Sequence, residues 1–259
     1  MQIQQTVTKQ FERKVAVVTG GASGIGQAAA FAFANEGAAV VVADVADVAG
    51  KETVRRIVQS GANSIFLEID VTNASHVKTM LREIEMAYGQ LDFAFNNAGI
   101  DGVRASTAEY PEEAWTKVLD INLTGVFLCM KYEIPLMLRQ GGGVIINMAS
   151  VAGVTGFPAH GAYTASKHGV IGLTKTAALE YAKAGIRVNA LCPAYTRTPM
   201  LERMVQTQPD LEARLRTRVP LGRLGTPEEI AAAAVYLCSE AGSFITGHAL
   251  VMDGGIMAE

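Results

Sequence analysis

Tyr163 and Lys167 stand four positions apart in Tyr163-Thr164-Ala165-Ser166-Lys167, and Ser150 lies thirteen positions before the tyrosine, at the end of an apolar run. On a helix, residues at i and i+4 share one face, so this spacing predicts a phenol beside an ammonium. A free phenol titrates near pH 10, too high to give and take a proton near neutrality. An ammonium about 4 Å away would favour the phenolate by roughly 4 kcal/mol at an effective dielectric near 20. The sequence therefore predicts a tyrosine whose pKa is lowered, a tuned acid and base.

Such a pair needs a frame to hold it. Short, nearly continuous apolar runs begin at Val15–Thr19 and recur with ends at Asp44, Asp70, Asn97, Asn147 and Leu191, and a last run covers Ala249–Met252. Between them lie segments of helical composition, roughly 24–36, 50–60, 74–88, 112–138, 161–184 and 227–239. Apolar strands alternating with helices predict a parallel sheet covered on both faces, an α/β architecture. Gly37, Gly61 and Gly89 sit where helices should stop, and Thr226-Pro227-Glu228-Glu229 reads as a helix start. No linker or composition break divides the chain, so residues 13–259 read as one domain after a flexible extension of residues 1–12. Residues 197–220 differ: three prolines, Pro199, Pro209 and Pro220, accompany five arginines. This segment is expected to be a helical excursion that forms a lid over a pocket at the strand ends.

Thr19-Gly20-Gly21-Ala22-Ser23-Gly24-Ile25-Gly26 joins the first strand to the first helix. Glycines there permit a tight turn and close backbone approach, and the helix start offers free N–H groups to a pyrophosphate. Gly20, Ser23, Gly24, Ile25 and Gly26 are thus candidate cofactor contacts. Asp44 ends the second strand, where an acid can accept hydrogen bonds from an adenosine ribose. The same carboxylate would repel a 2′-phosphate, so NAD is expected rather than NADP. Asp70 and Val71 could bracket an adenine, an acceptor beside an apolar wall. Asn97, Ala98 and Gly99 follow the fourth strand, where open α/β sheets bind ligands.

Together these residues resemble the short-chain dehydrogenase/reductase family, with a match running from about Lys14 to Gly255 and including Asn122 in Ile121-Asn122-Leu123-Thr124-Gly125. The resemblance implies a single-domain Rossmann fold with a doubly wound, seven-stranded parallel sheet, and a homotetramer. It implies Tyr163 as general acid/base, Ser150 holding the substrate oxygen, and Lys167 binding the nicotinamide ribose while lowering the Tyr163 pKa. Asn122, in a helix, would help hold a water relaying protons to Lys167. Pro193, Ala194, Thr196 and Thr198 would meet the nicotinamide. The family's usual Pro-Gly after the sixth strand is here Pro193-Ala194, and alanine is expected to restrict the backbone.

Composition excludes several other classes. Net charge of −3 argues against a nucleic-acid footprint. The apolar stretches are expected to break before the ~18 residues of a membrane helix, and the polar N-terminus lacks a signal-peptide pattern. Cys129, Cys192 and Cys238 suit small buried residues in a reducing, cytoplasmic compartment. No cluster has metal-ligand spacing, so a metal-independent reaction is expected. His160, His168, His76 and His248 carry no visible catalytic partner. The reading is an NAD-dependent oxidoreductase interconverting a secondary alcohol and a ketone. The alternatives are a 3-oxoacyl thioester reductase and, from another class, a dinucleotide-binding sensor or scaffold.

Overall fold

In the computed structural model, which describes residues 9–208 and 210–258, strands and helices alternate along the chain. The strands are β1 (Val15–Thr19), β2 (Ala39–Asp44), β3 (Ser64–Glu68), β4 (Phe93–Asn96), β5 (Gly143–Met148), β6 (Ile186–Pro193) and β7 (Ala249–Met252). The helices are α1 (Gly24–Asn35), α2 (Asp47–Gln59), α3 (Ala74–Tyr88), α4 (Glu112–Leu119), α5 (Gly125–Gln140), α6 (Gly161–Tyr181), α7 (Pro199–Thr207), α8 (Leu211–Thr217) and α9 (Pro227–Cys238). Met1–Thr8, Pro209 and Glu259 lie outside the described residues.

All seven strands are parallel, in the order β3-β2-β1-β4-β5-β6-β7. The apolar runs of β1, β2, β4, β5 and β6 bury on both faces, as a doubly covered sheet requires, while the edge strands β3 and β7 are only partly covered. One core lies under α3, α5 and α6, with Met80, Met130 and Val170; the other lies under α1, α2 and α9, with Phe33, Ile57 and Leu237. The chain leaves β1 for β2 on one side and returns to β4 on the other, pairing Thr19 with Asn96. Ligands of such sheets bind at this reversal of strand order, outside the carboxyl ends.

Local signals explain the element ends. Gly37, Gly61 and Gly89 adopt φ of 97°, 89° and 74°, a region open to glycine at little cost. The Thr226 hydroxyl accepts from the Glu229 N–H while the Glu229 carboxylate accepts from the Thr226 N–H, a reciprocal cap on α9.

Two expectations are corrected here. Within the supposed flexible extension of residues 1–12, Phe11 is part of the core. It is 3% exposed, with its ring centroid 4.6 Å from that of Phe93. An aromatic ring that finds an apolar slot beside α1 and β4 gains more from burial than it loses in chain freedom. Second, α4, a five-residue π-helical turn over Asp120–Thr124 and α5 join into a run of 29 residues, Glu112–Gln140, long and apolar enough by composition to cross a membrane. Half of its most apolar window is buried in the domain. Cys129, Met130, Ile134 and Met137 of α5 lie in the core against the sheet.

The 197–220 segment folds as α7 and α8. Arg197 and Arg216 both pair with the Glu212 carboxylate, and Leu215 and Val219 turn inward.

Candidate active site

The loops at the carboxyl ends of β1, β4, β5 and β6 converge with α6. Tyr163 and Lys167 share one face of α6, with Lys167 Nζ 5.6 Å from the Tyr163 ring centroid. Lys167 is 3% exposed and donates to the Met148 carbonyl at 2.7 Å. Ser150, two residues beyond that carbonyl, accepts from the Ala152 N–H at 3.1 Å. Its hydroxyl donates to the Pro193 carbonyl at 3.5 Å and lies near enough to the Tyr163 phenol to pull its pKa down. A Cβ built on Gly99 would lie 3.2 Å from Asn122 Oδ1 and 3.6 Å from Lys167 Nζ, so glycine lets the β4 loop close on both. Asn122 is fully buried in the π-helical turn. Its Oδ1 accepts from Ile100 N and its Nδ2 donates to Ile100 O, both at 2.8 Å. It also donates to Ser166 Oγ at 3.3 Å. Its side chain is therefore a clamp on the loop after β4. All four residues expected to act on the proton and oxygen meet at one place.

The electrostatics differ from the expectation built on spacing. Burial pushes the Tyr163 phenol above its ordinary value, the Ser150 hydrogen bond pulls it down, and Asp101 and Cys192 push it further up. Lys167, itself stripped of water, is lowered to about 8 by burial. The ammonium is aimed at a carbonyl rather than at the phenol oxygen, so desolvation outweighs its attraction.

The residues expected to hold a dinucleotide fall into one cleft. Gly20 adopts φ 64° and Gly24 φ 54°. The Ser23 side chain makes no cap to α1, which leaves first-turn N–H groups, those of Gly24, Ile25 and Gly26, free to meet an anion. Asp44 accepts from Ala22 N at 3.0 Å and Ala46 N at 2.9 Å, tying the glycine turn to the end of β2. A groove lined by Val45, Asp70, Thr72, Thr116, Lys117 and Ile121 continues from there. Asp70 accepts from the Thr72 N–H and hydroxyl. Val71, expected as an apolar wall, is buried instead, facing the position where Gly125 lacks a Cβ. Asn97 Nδ2 donates to the carbonyls of Thr19 and Gly20 at 3.1 and 3.2 Å, and Ala98 N reaches Thr19 Oγ1. Thr198 caps α7, and it and Pro199 abut Gly24 across the cleft; Thr196 Oγ1 donates to Ala194 O. Ala194 is not among the residues with positive φ, so the alanine after Pro193 sits there without strain. Uncapped amides facing a carboxylate at the next strand end are a donor and acceptor set that fits a pyrophosphate and a ribose.

Sequence reasoning missed three supports. Thr19 Oγ1 accepts from both Asn97 N and Ala98 N, visible in sequence only as a polar end to β1. His76 Nδ1 accepts from Asp70 N, a partner six residues away that no pattern announces. A buried chain of Glu133, Asn96, Asn147 and Thr174 underlies the strand ends. Among the described residues, no three His, Cys, Asp or Glu side chains converge as a metal-ligand set.

Comparison with known proteins gives a consistent picture. Residues 20–257 match a family described as enoyl-(acyl carrier protein) reductase. A 2,5-dichloro-2,5-cyclohexadiene-1,4-diol dehydrogenase of Sphingobium indicum is 46% identical over 95% of this chain and 97% of its own. A cyclohexanol dehydrogenase of an Acinetobacter species is 41% identical over 97% and 98%. Among solved structures, an NAD+-bound xylitol dehydrogenase superposes with a TM-score of 0.91 at 35% identity, covering 95% of this chain and all of that one.

Proposed function

The chain belongs to the short-chain dehydrogenase/reductase family, and from that premise we propose that it is an NAD(H)-dependent oxidoreductase interconverting a cyclic secondary alcohol and its ketone. The observation that carries this reading is the convergence of Ser150, Tyr163 and Lys167 beside Gly99 and Asn122, next to the uncapped start of α1.

A nicotinamide dinucleotide held by these residues would supply the hydride chemistry between the alcohol carbon and the ketone. The protein handles the proton and the oxygen. Tyr163 removes the hydroxyl proton in oxidation and supplies one to the developing alkoxide in reduction. Ser150 donates a hydrogen bond to that oxygen as its charge changes. Lys167 holds the cofactor ribose and replenishes Tyr163, with Asn122 supporting a water between Lys167 and solvent. Gly20, Ser23, Gly24, Ile25 and Gly26 would cradle the pyrophosphate, with Asp44 on the adenosine ribose and Asp70 at the adenine. Asn97, Ala98, Gly99, Pro193, Ala194, Thr196 and Thr198 would line the nicotinamide half.

The substrate side suits a ring bearing more than one oxygen. Phe157 and His160 stack with centroids 4.4 Å apart and present a flat wall. Asp101 faces Tyr163 closely enough to act on its titration. Its carboxylate is placed to accept from a second hydroxyl. Two relatives named for ring alcohols support this choice. A 3-oxoacyl thioester reductase shares the framework but would normally take NADPH, against which Asp44 argues. Assembly as a homotetramer is supported by exposed apolar side chains, among them Trp115, Phe127 and Leu138 on the α4–α5 side and Tyr236 and Phe244 near α9. The three buried, unpaired cysteines support a reducing setting such as the cytoplasm.

Absorbance of the reduced cofactor across an alcohol panel, with NAD and NADP in parallel, tests the proposal. The wild type should prefer NAD, and Asp44→Ala should erode that preference by at least about tenfold. A carboxylate about 4 Å from a phosphate repels it by up to roughly 4 kcal/mol near the surface. An unchanged preference would remove Asp44 from cofactor selection.

The pH dependence follows from one proton. Oxidation needs the phenolate and reduction the phenol, and burial has raised the group. Oxidation kcat/KM should therefore climb toward alkaline pH, while reduction should decline over the same interval. Profiles in both directions check this, and slopes of equal sign would contradict a shared acid/base.

A further inference from the structure

Glu133 is a buried titratable group that the proposed chemistry leaves unused. It lies on α5 at 0% exposure. Asn96 Nδ2 donates to Glu133 Oε2 and to Asn147 Oδ1, both at 3.1 Å, and Asn147 Nδ2 donates to Thr174 Oγ1 at 2.9 Å. Both hydrogens of the Asn96 amide are thus committed. Two oxygens remain buried without a partner, Glu133 Oε1 and Asn96 Oδ1. They are the second oxygen of the carboxyl and the oxygen of the amide already bonded to it. Two unpartnered acceptors in a dry core are costly, and one proton on Oε1 would satisfy both.

We infer that Glu133 is a neutral carboxylic acid paired to Asn96 by two hydrogen bonds, Oε1–H to Oδ1 and Nδ2–H to Oε2, and that this pair positions the ends of β4 and β5 under the active site. Asn96 adjoins Asn97, whose amide grips the glycine turn, and Asn147 adjoins Met148, whose carbonyl holds Lys167. Glu133 is therefore a positioning residue. It touches neither substrate nor cofactor.

The surroundings favour the neutral form. The same helix brings Cys129, a thiol that burial pushes well up. α3 and β6 also pack against α5, and their Met80, Leu81, Ile84, Val188 and Ala190 belong to the same apolar core as Cys129 and Ile134 of this helix. Asn96 comes from β4, Asn147 from β5 and Thr174 from α6, which also carries Lys167 toward the strand ends. No cation lowers the carboxyl, which burial raises to about 8 against the Asn96 hydrogen bond. A group raised on folding contributes stability that is complete below its unfolded pKa, about 4.5, and is lost as pH rises through about 8.

Glu133→Gln is the matching test, because glutamine makes both bonds and cannot titrate. The infrared difference between wild type and Glu133→Gln near neutral pH should show the C=O band of a buried carboxylic acid in the wild type. The melting temperature of the wild type should fall relative to Glu133→Gln from about pH 5 to 8 and run parallel above. Glu133→Leu, which leaves Asn96 Oδ1 and one of the two Nδ2 hydrogens unpaired, should lose kcat on the order of tenfold, and Glu133→Gln should restore it. An absent acid band, or parallel melting profiles throughout, would overturn the neutral pair. Equal kcat in the leucine variant would overturn the positioning role. That role rests on the oxidoreductase reading, whereas the infrared and melting measurements need no turnover, so the two can fail separately.

Discussion

Tyr163→Phe is expected to lose turnover by roughly 10²–10⁴-fold, the usual contribution of a positioned acid/base, while still binding NADH. The variant deletes one hydroxyl and keeps the ring that packs on α6. No backbone group depends on that hydroxyl, and Lys167 keeps its bond to Met148 O. Ser150 would still meet the substrate oxygen, so binding should survive while the proton has no carrier. Single-turnover absorbance and cofactor fluorescence separate the two effects. Melting at the wild-type temperature with lost turnover is the expected pair of results, and near-normal turnover would sink the mechanism. The loss should reach both directions equally, since one phenol serves oxidation and reduction.

Gly26→Ala is expected to damage the fold and the cofactor cleft together. A Cβ at Gly26 would lie 2.0 Å from Gly20 O and 2.6 Å from Asn97 Nδ2. Neither neighbour can retreat cheaply. Gly20 is turned back at φ 64°, and its carbonyl and that of Thr19 share the Asn97 amide. Overpacking of this kind costs about 1–3 kcal/mol, and more where backbone must move. Each kcal/mol lowers the melting temperature by about 2–4 °C in a domain of this size. The displaced atoms are those of the phosphate turn, so NADH affinity should fall by more than about tenfold. Gly172→Ala on α6 meets nothing within 4 Å and serves as the control. Calorimetry and NADH titration of both variants decide it. Wild-type melting and affinity in Gly26→Ala would mean that α1 packs more loosely than the structure shows.

What sequence could reveal was whatever depends on near neighbours. Tyr163 and Lys167 announce themselves because one helical turn joins them, and the caps at Gly89 and Thr226 because they are set within three or four residues. The glycine turn and Asp44 are legible because they sit where strand meets loop. The direction of the Tyr163 shift was not, since burial is a property of the whole fold and overrides a pairwise estimate. Asn122 read as helical but not as π-helical, a one-residue change in ladder register with no compositional sign. Glu133 stands in an apolar helix, and its partner Asn96 lies 37 residues away and is itself bonded to Asn147, 51 residues along the chain from Asn96. Phe11 was hidden for the same reason: its slot is built by α1 and β4, not by its own segment.

Glu212 holds Arg197, where the chain leaves β6, and Arg216, near the end of α8. One carboxylate thus ties the start of the 197–220 segment to α8. The two pairs share that one acceptor, so its loss would remove both at once. The bonds lie at the surface, where water and dissolved ions compete for each charge. Added salt is therefore expected to weaken both pairs, while the buried surroundings of Lys167 are screened much less.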